Sequence, residues 1–447
     1  MNADRRISVI QRHLRRESAE DYAAPIHKLA VNATKATSEA FPQATSAVIK
    51  FPENKGDYFD LDGMLTPSAK AVRYRVREFM ENEAAPIIND YWERADFPQQ
   101  LRAGLGKLGI GGAGIKGYGC SGLSVMEEAM AMMELARVDA SLALAYLVHD
   151  SLCAHTIDKV GSEEQKQKYL PKLSTFEYMG CWALTEPDWG SDAASLAMTA
   201  TKVDGGWRLD GCKRWIGNST FADVCCIYAR GSEDGQVKGF VIEPKTQQGW
   251  TVEKMENKVA MRITQNGDIT LTNAFVPDSQ RLPGANSFAD ATGALATSRV
   301  IVAWQPVGIG MGIYDACHRY LMERRQFGAP LGAMQIQQER LMRMLGTLQA
   351  MIGMAHRATV LAEEGRLTPG KASLAKAWNT SAGRQLASLG RELMGGNGII
   401  HDFHVAKAFC DMEAVHTYEG TYDVNMLVAA REMTGVAAFK PSARKSK

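Results

Sequence analysis

The segment Trp182–Asp192 reads WALTEPDWGSD and separates two parts of the chain that have different residue patterns. Before it, from Thr66 onward, apolar residues recur at the spacing of one helix face. After it, as far as about Pro277, short apolar or β-branched runs lie between Gly, Asp and Asn turns, which predicts strands. Helical spacing returns after Ser298. This order of helices, strands and helices predicts an α+β fold with a central β domain.

Caps and turn residues set the limits of the predicted elements. The predicted helices are Val125–Arg137, Leu142–Val160, a short one that starts at Glu163 and ends before Pro171, Gln338–Glu364 and Thr368–Met394. Thr368 followed by Pro369 is typical of a helix start, and Gly395-Gly396 is typical of a helix end. The predicted strands span residues 221–228, 239–242 and 269–272.

Length and composition exclude several classes of protein. A chain of 447 residues corresponds to about two to four domains of ordinary size. Its 51 Lys and Arg residues against 50 Asp and Glu give a net charge of +1, so no overall field attracts nucleic acid or an anionic membrane. No apolar run reaches about 18 residues, which argues against a membrane-spanning helix. The eight cysteines have no CxxC or zinc spacing and the nine His form no ligand cluster, so we expect a reducing compartment, no disulfide framework and no metal.

The amino terminus has a composition of its own. Its first 16 residues, MNADRRISVIQRHLRR, carry five Arg and one acidic residue. This stretch is compatible with a plain basic helix or a mitochondrial presequence. Arg6, Ile7, His13 and Leu14 also resemble, in type and spacing, the amino-terminal nonapeptide signal that a peroxisomal import receptor binds. We therefore expect the peroxisomal matrix, with the mitochondrial matrix as the alternative. The last three residues, KSK, are not the carboxy-terminal tripeptide SKL.

Four further motifs follow the opening segment in a fixed order. They are WIGNS at 215–219, RRQFG at 324–328, GGNG at 395–398 and YEGT at 418–421. Each taken singly is an ordinary turn or helix end. Taken together and in this order, they resemble the acyl-CoA dehydrogenase and oxidase flavoprotein family, over residues 66–439. Within that family the chain is most similar to the plant-type peroxisomal short-chain acyl-CoA oxidases, and next to the glutaryl-CoA dehydrogenases.

The resemblance implies a fold and an assembly. It predicts an amino-terminal helical domain over residues 63–178, a central β domain over 179–290 and a carboxy-terminal four-helix bundle over 291–440. Residues 1–62 would be a targeting peptide and arm, and residues 441–447 a tail. Family members are usually homotetramers that bind FAD in the cleft between the β domain and the bundle.

The resemblance also implies site residues. The expected FAD contacts are Leu184, Thr185, Trp215, Gly217, Arg324, Phe327, Gln335, Glu392, Gly396 and Thr421. Among them, Arg324, Phe327 and Gln335 match positions that hold the FAD of a neighbouring subunit, and Glu392 and Gly396 match the loop at the adenosine end. The expected acyl-CoA contacts are Ser191, Arg299 and Gly420.

Glu419 matches the catalytic base of the family. The reaction removes a proton from Cα of the thioester while a hydride leaves Cβ for the flavin. A free Glu with a pKa near ~4.3 is a weak base toward carbon, so the resemblance implies that desolvation raises its pKa. It also implies that the backbone N–H of the base and a flavin hydroxyl stabilise the enolate oxygen. Some family members place the base one residue before the Arg that here is Arg299; Ser298 occupies that position and cannot serve.

Three departures from the family pattern bear on substrate and electron acceptor. Ala143 stands where glutaryl-CoA dehydrogenase uses an Arg for the distal carboxylate, and Ala136 replaces the accompanying acid, so a dicarboxylyl substrate is disfavoured. Gly217 replaces a Thr whose hydroxyl is expected near the flavin, as in plant-type oxidases. Trp189 fills a position that is usually small, and it lies either at the surface or at the mouth of the pocket.

These features together predict an FAD-dependent acyl-CoA oxidase. It would convert short-chain acyl-CoA to trans-2-enoyl-CoA and pass electrons to O2, giving H2O2, as the first step of peroxisomal β-oxidation. The alternative is a dehydrogenase that reduces an electron-transfer flavoprotein and shares every site residue except Gly217. A DNA-associated, non-enzymatic relative is disfavoured by the near-neutral charge and the retained Glu419.

Overall fold

A computed structural model describes residues 44–438 of the chain. The predicted import signal at Arg6, Ile7, His13 and Leu14 lies outside these residues. In the described part, the amino-terminal helices are α1 (Pro67–Phe79), α2 (Ala85–Arg94), α3 (Leu101–Lys107), α4 (Val125–Val138), α5 (Ala140–Leu147), α6 (His155–Val160) and α7 (Glu163–Ser174). A π-helical segment, Val148–Ala154, joins α5 to α6.

Local sequence explains where these helices begin. Thr66 accepts a hydrogen bond from the N–H of Ala69 and precedes Pro67, which suits the first turn of α1. Ser124 and Glu127 form a capping box at α4. Ser162 and Gln165 form another at α7.

Helix α7 corrects one sequence-based expectation. It does not end before Pro171 but continues through it to Ser174. The proline costs the helix one backbone hydrogen bond, a loss of about 3 kcal/mol within a helix interior. It stands in the last turn, where Tyr169, Leu170 and Leu173 are buried and keep the helix against the protein. Burial therefore outweighs the local preference.

The β domain is one sheet of seven strands. Six of them follow the order β1-β4-β2-β3-β7-β6, and the seventh, β5, also pairs with β4. The strands are β1 (Gly180–Ala183), β2 (Thr199–Val203), β3 (Gly206–Ile216), β4 (Val224–Gly231), β5 (Val237–Ile242), β6 (Trp250–Lys254) and β7 (Gly267–Pro277). β4 pairs in parallel with β1 and β2, and the other pairings are antiparallel.

Strand β4 begins three residues later than the predicted strand over 221–228. Residues 221–223 belong instead to a turn, in which the N–H of Phe221 donates to the Asn218 carbonyl at 3.1 Å. The Phe221 ring stacks on Phe97 with 4.6 Å between ring centroids. This tertiary contact favours the turn over an extended start.

The carboxy-terminal helices are α8 (Phe288–Val302), α9 (Gln305–Glu323), α10 (Gln335–Glu363), α11 (Pro369–Leu393), α12 (Val405–Thr417) and α13 (Tyr422–Thr434). A two-stranded hairpin, β8 (Arg325–Gln326) and β9 (Ala329–Pro330), joins α9 to α10. The stretch Ser298–Glu323 has the length and composition of a membrane span, and all of its most apolar window is buried inside the protein. A core helix has the same properties.

Helix α9 also packs directly on α4, so the two helical blocks share one core. The contact is close because of two glycines one turn apart on α9. A Cβ at Gly308 would collide with the Met133 carbonyl oxygen, and one at Gly312 would collide with that of Arg137. Only glycine permits this approach of the two backbones.

Candidate active site

The loop after β1 is held by a buried lysine. Lys213 on β3 donates from Nζ to the Leu184 carbonyl (3.0 Å) and to Oε1 of Glu186 (2.8 Å). The N–H of Arg214 donates to the Thr185 carbonyl at 2.8 Å. Burial lowers the pKa of Lys213 to about 8, although Glu186 opposes the shift. The loop that carries Leu184 and Thr185 is therefore fixed in one orientation.

Trp215 follows at the end of the same strand. Its backbone is left-handed, with φ 65°, and its side chain is 55% exposed. The Trp215 carbonyl accepts a hydrogen bond from Nδ2 of Asn266 at 2.9 Å, which holds this conformation. Trp215 directly follows Arg214, which bonds to Thr185. Its exposed indole offers a flat apolar face to an aromatic ligand.

Gly217 lies against a wall of two methyl groups. A Cβ at Gly217 would lie 3.3 Å from both the Val148 Cγ2 and the Thr264 Cγ2. Thr264 is fixed because its hydroxyl donates to the Ser141 carbonyl at 2.7 Å. The neighbouring Asn218 is buried and donates to the carbonyls of α5 and β1. The space above Gly217 is therefore small, and a side chain there needs its neighbours to shift by a few tenths of an ångström.

Glu419 stands in the turn between α12 and α13. Its φ is 55°, and that of Gly420 is 80°, so two successive residues are left-handed. Oγ of Ser298 donates to Oε2 of Glu419 at 3.2 Å. Ser298 stands at the alternative position for the base and cannot serve as one. Here it donates a hydrogen bond to the carboxylate of Glu419.

The electrostatics at Glu419 have opposing terms. Burial raises the pKa of Glu419 above its ordinary value, while Arg299, the hydrogen bond from Ser298 and Lys376 oppose this rise. Nε of Arg299 is buried and has no hydrogen-bond partner among the described residues. Arg299 thus faces Glu419 with a donor available. The net effect is a carboxylate with a raised pKa, as a base toward carbon requires.

The residues around Glu419 leave backbone donors available at the same turn. Across residues 44–438, the N–H of Glu419 has no hydrogen-bond acceptor. Thr421 caps the 13-residue helix α13, and its Oγ1 accepts from the N–H of Val424 at 3.2 Å. The start of that helix suits an anionic or polar group. Glu419, Gly420 and Thr421 therefore form one polar turn.

The residues around Gly217 and those around Glu419 adjoin two elements that pack together, the π-helical segment and α8. Val148, which contacts the Gly217 position, begins the π-helical segment. That segment packs against both β1 and α8, and α8 carries Ser298 and Arg299. The predicted contacts in the loop after β1 and at the end of β3 thus lie near the helix that contacts Glu419. A π-helical segment at such a place is common in functional sites.

A third group of predicted residues lies elsewhere, at the far ends of the bundle helices. Phe327 is 96% exposed with φ 54° at the hairpin, and Gln335 starts α10. Glu392 approaches Arg340 at 3.9 Å, and nothing lies within 4 Å of a Cβ at Gly396. The hairpin follows Arg324, which ends α9. Glu392 follows Lys376 by 16 residues on α11, so about 24 Å of helix separates these two residues.

Two residues singled out from the sequence, Trp189 and Ser191, lie further along the chain after β1. Ser191 is exposed in the turn that follows Trp189. Trp189 is half-buried and pairs its backbone with that of Glu186. Within the described ranges, no group of three His, Cys, Asp or Glu side chains could hold a metal ion.

Sequence reasoning did not identify Lys213, Lys376 or Asn425 as parts of the site. Lys376 does have a sequence signal. It falls on the apolar stripe of α11, between Ala372 and Thr380, where a charged residue is unexpected.

Comparisons with known proteins agree with this architecture. The acyl-CoA dehydrogenase N-terminal, middle and C-terminal domain families match residues 66–177, 181–274 and 288–434. The chain is 31% identical to an acyl-CoA dehydrogenase of Bacillus subtilis over 376 residues, which is 83% of this chain and 99% of the relative.

Solved structures give the same result. A glutaryl-CoA dehydrogenase from Mycobacterium smegmatis superimposes with a TM-score of 0.83 and 31% identity, covering 87% of this chain and all of that one. A structure of such an enzyme from the same organism, in complex with FADH2, has a TM-score of 0.83 and 30% identity, with coverages of 86% and 98%. The predicted α+β fold is confirmed, and the chain belongs to the acyl-CoA dehydrogenase family.

Proposed function

We propose that this member of the family is an FAD-dependent acyl-CoA oxidase that acts on short-chain acyl-CoA. It converts the thioester to trans-2-enoyl-CoA, and O2 takes up the two electrons and two protons to give H2O2. The observation that carries the proposal is Glu419, half-buried in a polar turn, in contact with Ser298 and with an available backbone N–H.

The residues present fit FAD. The exposed face of Trp215, the fixed loop at Leu184 and Thr185, and the helix start at Thr421 suit a ring system with polar edges and a polar tail. When bound, FAD would supply the hydride acceptor for Cβ and the route for both electrons to O2. The relative crystallised with FADH2 supports this assignment.

The chain's own groups would perform the proton transfer. Glu419 takes the proton from Cα, because its carboxylate is desolvated and its pKa is raised. The N–H of Glu419 donates to the thioester oxygen as negative charge develops there. Arg299 and Ser298 hold the carboxylate in place. Proton abstraction and oxygen stabilisation thus come from one residue.

O2 as the acceptor rests on Gly217. The glycine removes a side chain and a hydroxyl at the position that faces the flavin in related dehydrogenases. Val148 and Thr264 limit the remaining space but do not replace the hydroxyl there, since that of Thr264 is bonded to Ser141. The Bacillus subtilis and Mycobacterium smegmatis relatives are named dehydrogenases, so the electron acceptor is what the experiment must distinguish.

The test is anaerobic reduction of the purified FAD-containing protein with butanoyl-CoA, followed by air. We expect rapid bleaching of the flavin, then rapid reoxidation with one peroxide for each enoyl-CoA. Slow reoxidation by air, with fast electron transfer to an electron-transfer flavoprotein, would overturn the oxidase assignment and leave the dehydrogenase. No bleaching with any acyl-CoA would overturn both.

The substrate proposal excludes dicarboxylyl thioesters. Ala143 on α5 and Ala136 on α4 are fully buried, so neither position offers a partner for a distal carboxylate. An unpaired carboxylate buried there costs several kcal/mol. We expect glutaryl-CoA to be used far less well than butanoyl-CoA, in a comparison of kcat/KM.

We also propose import into the peroxisomal matrix through Arg6, Ile7, His13 and Leu14, and assembly as a homotetramer. The first 20 residues fused to a fluorescent protein should reach peroxisomes, and His13→Asp should leave the fusion in the cytosol, because a charge replaces an aromatic contact. Delivery of the unchanged fusion to mitochondria would contradict this. Light scattering of the purified protein tests the tetramer.

A further inference from the structure

The turn that holds Glu419 is fixed from α11 by a buried lysine. Lys376 is 0% exposed. Its Nζ donates to the Gly420 carbonyl at 2.8 Å and to the His416 carbonyl at 3.4 Å. Within the described residues, no carboxylate lies within ion-pair distance of this ammonium. A buried cation without an ion pair is costly, and an uncharged donor would satisfy the same carbonyls.

A second donor reaches the same carbonyl from α13. The buried Asn425 donates from Nδ2 to the Gly420 carbonyl at 2.7 Å, to that of Thr421 at 3.1 Å and to that of Glu419 at 3.3 Å. The Gly420 carbonyl is thus held by two donors on different helices. This fixes the left-handed pair Glu419 and Gly420 with its carbonyls toward Lys376 and Asn425. The N–H of Glu419 stays available.

We propose that Lys376 is a positioning residue for the proposed base: it fixes the Gly420–Thr421 peptide together with Asn425 and faces the Glu419 carboxylate with a positive charge. The inference rests on the proposed function of Glu419. It adds a residue on a different helix that acts on the base and touches neither substrate nor cofactor.

The charged groups around Glu419 give the direction of the effect. Arg299 and Ser298 face it from α8, Lys376 faces it from α11, and all three oppose the rise of its pKa caused by burial. Burial and Arg299 lower the pKa of Lys376 to about 8, and Glu419 opposes that shift. Lys376 is therefore protonated below about pH 8, where it favours the carboxylate form of Glu419. Removing it should raise the pKa of Glu419.

The experiment measures proton abstraction apart from hydride transfer. In 3-thiahexanoyl-CoA a sulfur atom replaces Cβ, so the bound analogue can lose a Cα proton but has no Cβ hydride. Its enolate beside oxidised FAD gives a long-wavelength absorption band, whose growth is followed against pH. In Lys376→Met we expect the midpoint to move to higher pH by about one unit, so that flavin reduction by butanoyl-CoA slows about tenfold at pH values below the midpoint of the parent. KM should change less than twofold.

Lys376→Gln separates the hydrogen bond from the charge and carries the test if the Met variant does not fold. It keeps a donor for the Gly420 carbonyl but not the charge. Its midpoint should therefore shift as in the Met variant, while its reduction rate at pH values above the midpoint, where the base is ionised, stays closer to that of the parent.

Lys407→Gln is the matched control. Lys407 is an equally buried lysine, on α12, and it donates to the Val138 carbonyl and to Asp139. Its replacement should lower the melting temperature without moving the midpoint.

The outcomes distinguish the two proposals. A midpoint in Lys376→Gln equal to that of the parent, with only a lower melting temperature, would make Lys376 a structural residue that stabilises the end of α12 and would overturn the inference. Full enolate formation in Glu419→Gln would instead overturn the proposed base, whatever Lys376 does.

Discussion

Trp215, Phe327 and Glu419 are bulky predicted site residues, and all three have left-handed backbones, with φ 65°, 54° and 55°. For a residue with a side chain, this conformation costs about 1 to 2 kcal/mol. Such strain persists where the surroundings fix it, and it is concentrated at functional sites. For Glu419 the surroundings are visible: Lys376 and Asn425 hold the next peptide.

At the scale of residues, the motifs predicted the candidate site residues. They did not predict the hydrogen-bond donors that hold these residues in place. YEGT and WIGNS identify Glu419 and Trp215 by resemblance. The donors that fix them lie far away in sequence, Lys376 being 44 residues from Gly420. Only the fold brings such partners together.

Glu419→Gln should keep the shape of the turn and FAD binding while removing the base. We expect turnover with hexanoyl-CoA to fall at least about 10²-fold, the low end for loss of a general base. Rapid-scan absorption of the flavin gives the rate. Near-normal bleaching would place the base at another residue.

The pH dependence of flavin reduction should follow the ionisation of Glu419. Its pKa is raised above the ordinary value, and the carboxylate is the reactive form. The rate should therefore be highest above this pKa and fall as the pH drops through it. Stopped-flow reduction across acidic and neutral pH measures this limb. A rate that rises as the solution is acidified would contradict the assignment.

Gly217 offers two graded substitutions. Gly217→Ala adds a Cβ 3.3 Å from Val148 and Thr264, and Gly217→Thr adds a hydroxyl as well. We expect reoxidation by air to be slower in Gly217→Ala and slower still in Gly217→Thr, because the added side chain shields the flavin ring. Reduction by substrate should change little. Stopped-flow mixing of the reduced variants with aerated buffer compares the rates. Equal rates in all three proteins would discard Gly217 as the cause.

At the scale of elements, hydrophobic spacing predicted the long helices well. α10 and α11 begin and end within three residues of the predicted limits. The differences arise where tertiary contacts outweigh local preference, as in α7, which passes through Pro171, and at the start of β4. The π-helical widening at Val148 has no sequence signal that we identified.

The crossing of α4 and α9 can be tested with two glycines on one helix. Gly312→Ala places a Cβ against the Arg137 carbonyl, a backbone atom that cannot yield easily, and should destabilise the protein by about 1 to 3 kcal/mol or more. Gly310→Ala meets only Leu386 and Leu348 side chains at 3.4 Å or more and should be neutral or stabilising. Chemical denaturation at a fixed FAD concentration measures both. Equal losses would mean that α4 and α9 are not in close contact.

At the scale of the whole molecule, a short arm ties the two helical blocks together. The N–H groups of Lys55 and Gly56 donate to Oδ1 of Asp315 on α9 at 2.7 and 3.0 Å. Oδ2 of Asp315 pairs with Arg137 on α4 at 2.9 Å, and both side chains are fully buried. Arg137 also donates to the Pro52 carbonyl at 2.7 Å. The sequence predicted an arm up to residue 62 but gave no reason to expect this junction.

Asp315→Ala should therefore destabilise the whole protein. It leaves Arg137 buried without its innermost partner, a loss of about 3 to 5 kcal/mol. Glu323→Ala, on the same helix, removes a part-buried contact to Thr45 and should cost less than about 1 kcal/mol. Urea unfolding with two spectroscopic probes gives the values. A similar small loss in both variants would contradict the role of the junction.

The close crossing of α4 and α9 also has a consequence during protein synthesis. A ribosome adds about 5 to 20 residues per second, so roughly 8 to 33 s separate the emergence of Val138 from that of Gln305. In the folded protein α4 buries four methionines, three of its charged side chains and nearly all its other residues. During this interval α1 can already pack on one side of α4, but the side that later meets α9 has no partner. The nascent chain therefore presents an apolar segment for many seconds, and chains released before α9 should aggregate or require a chaperone.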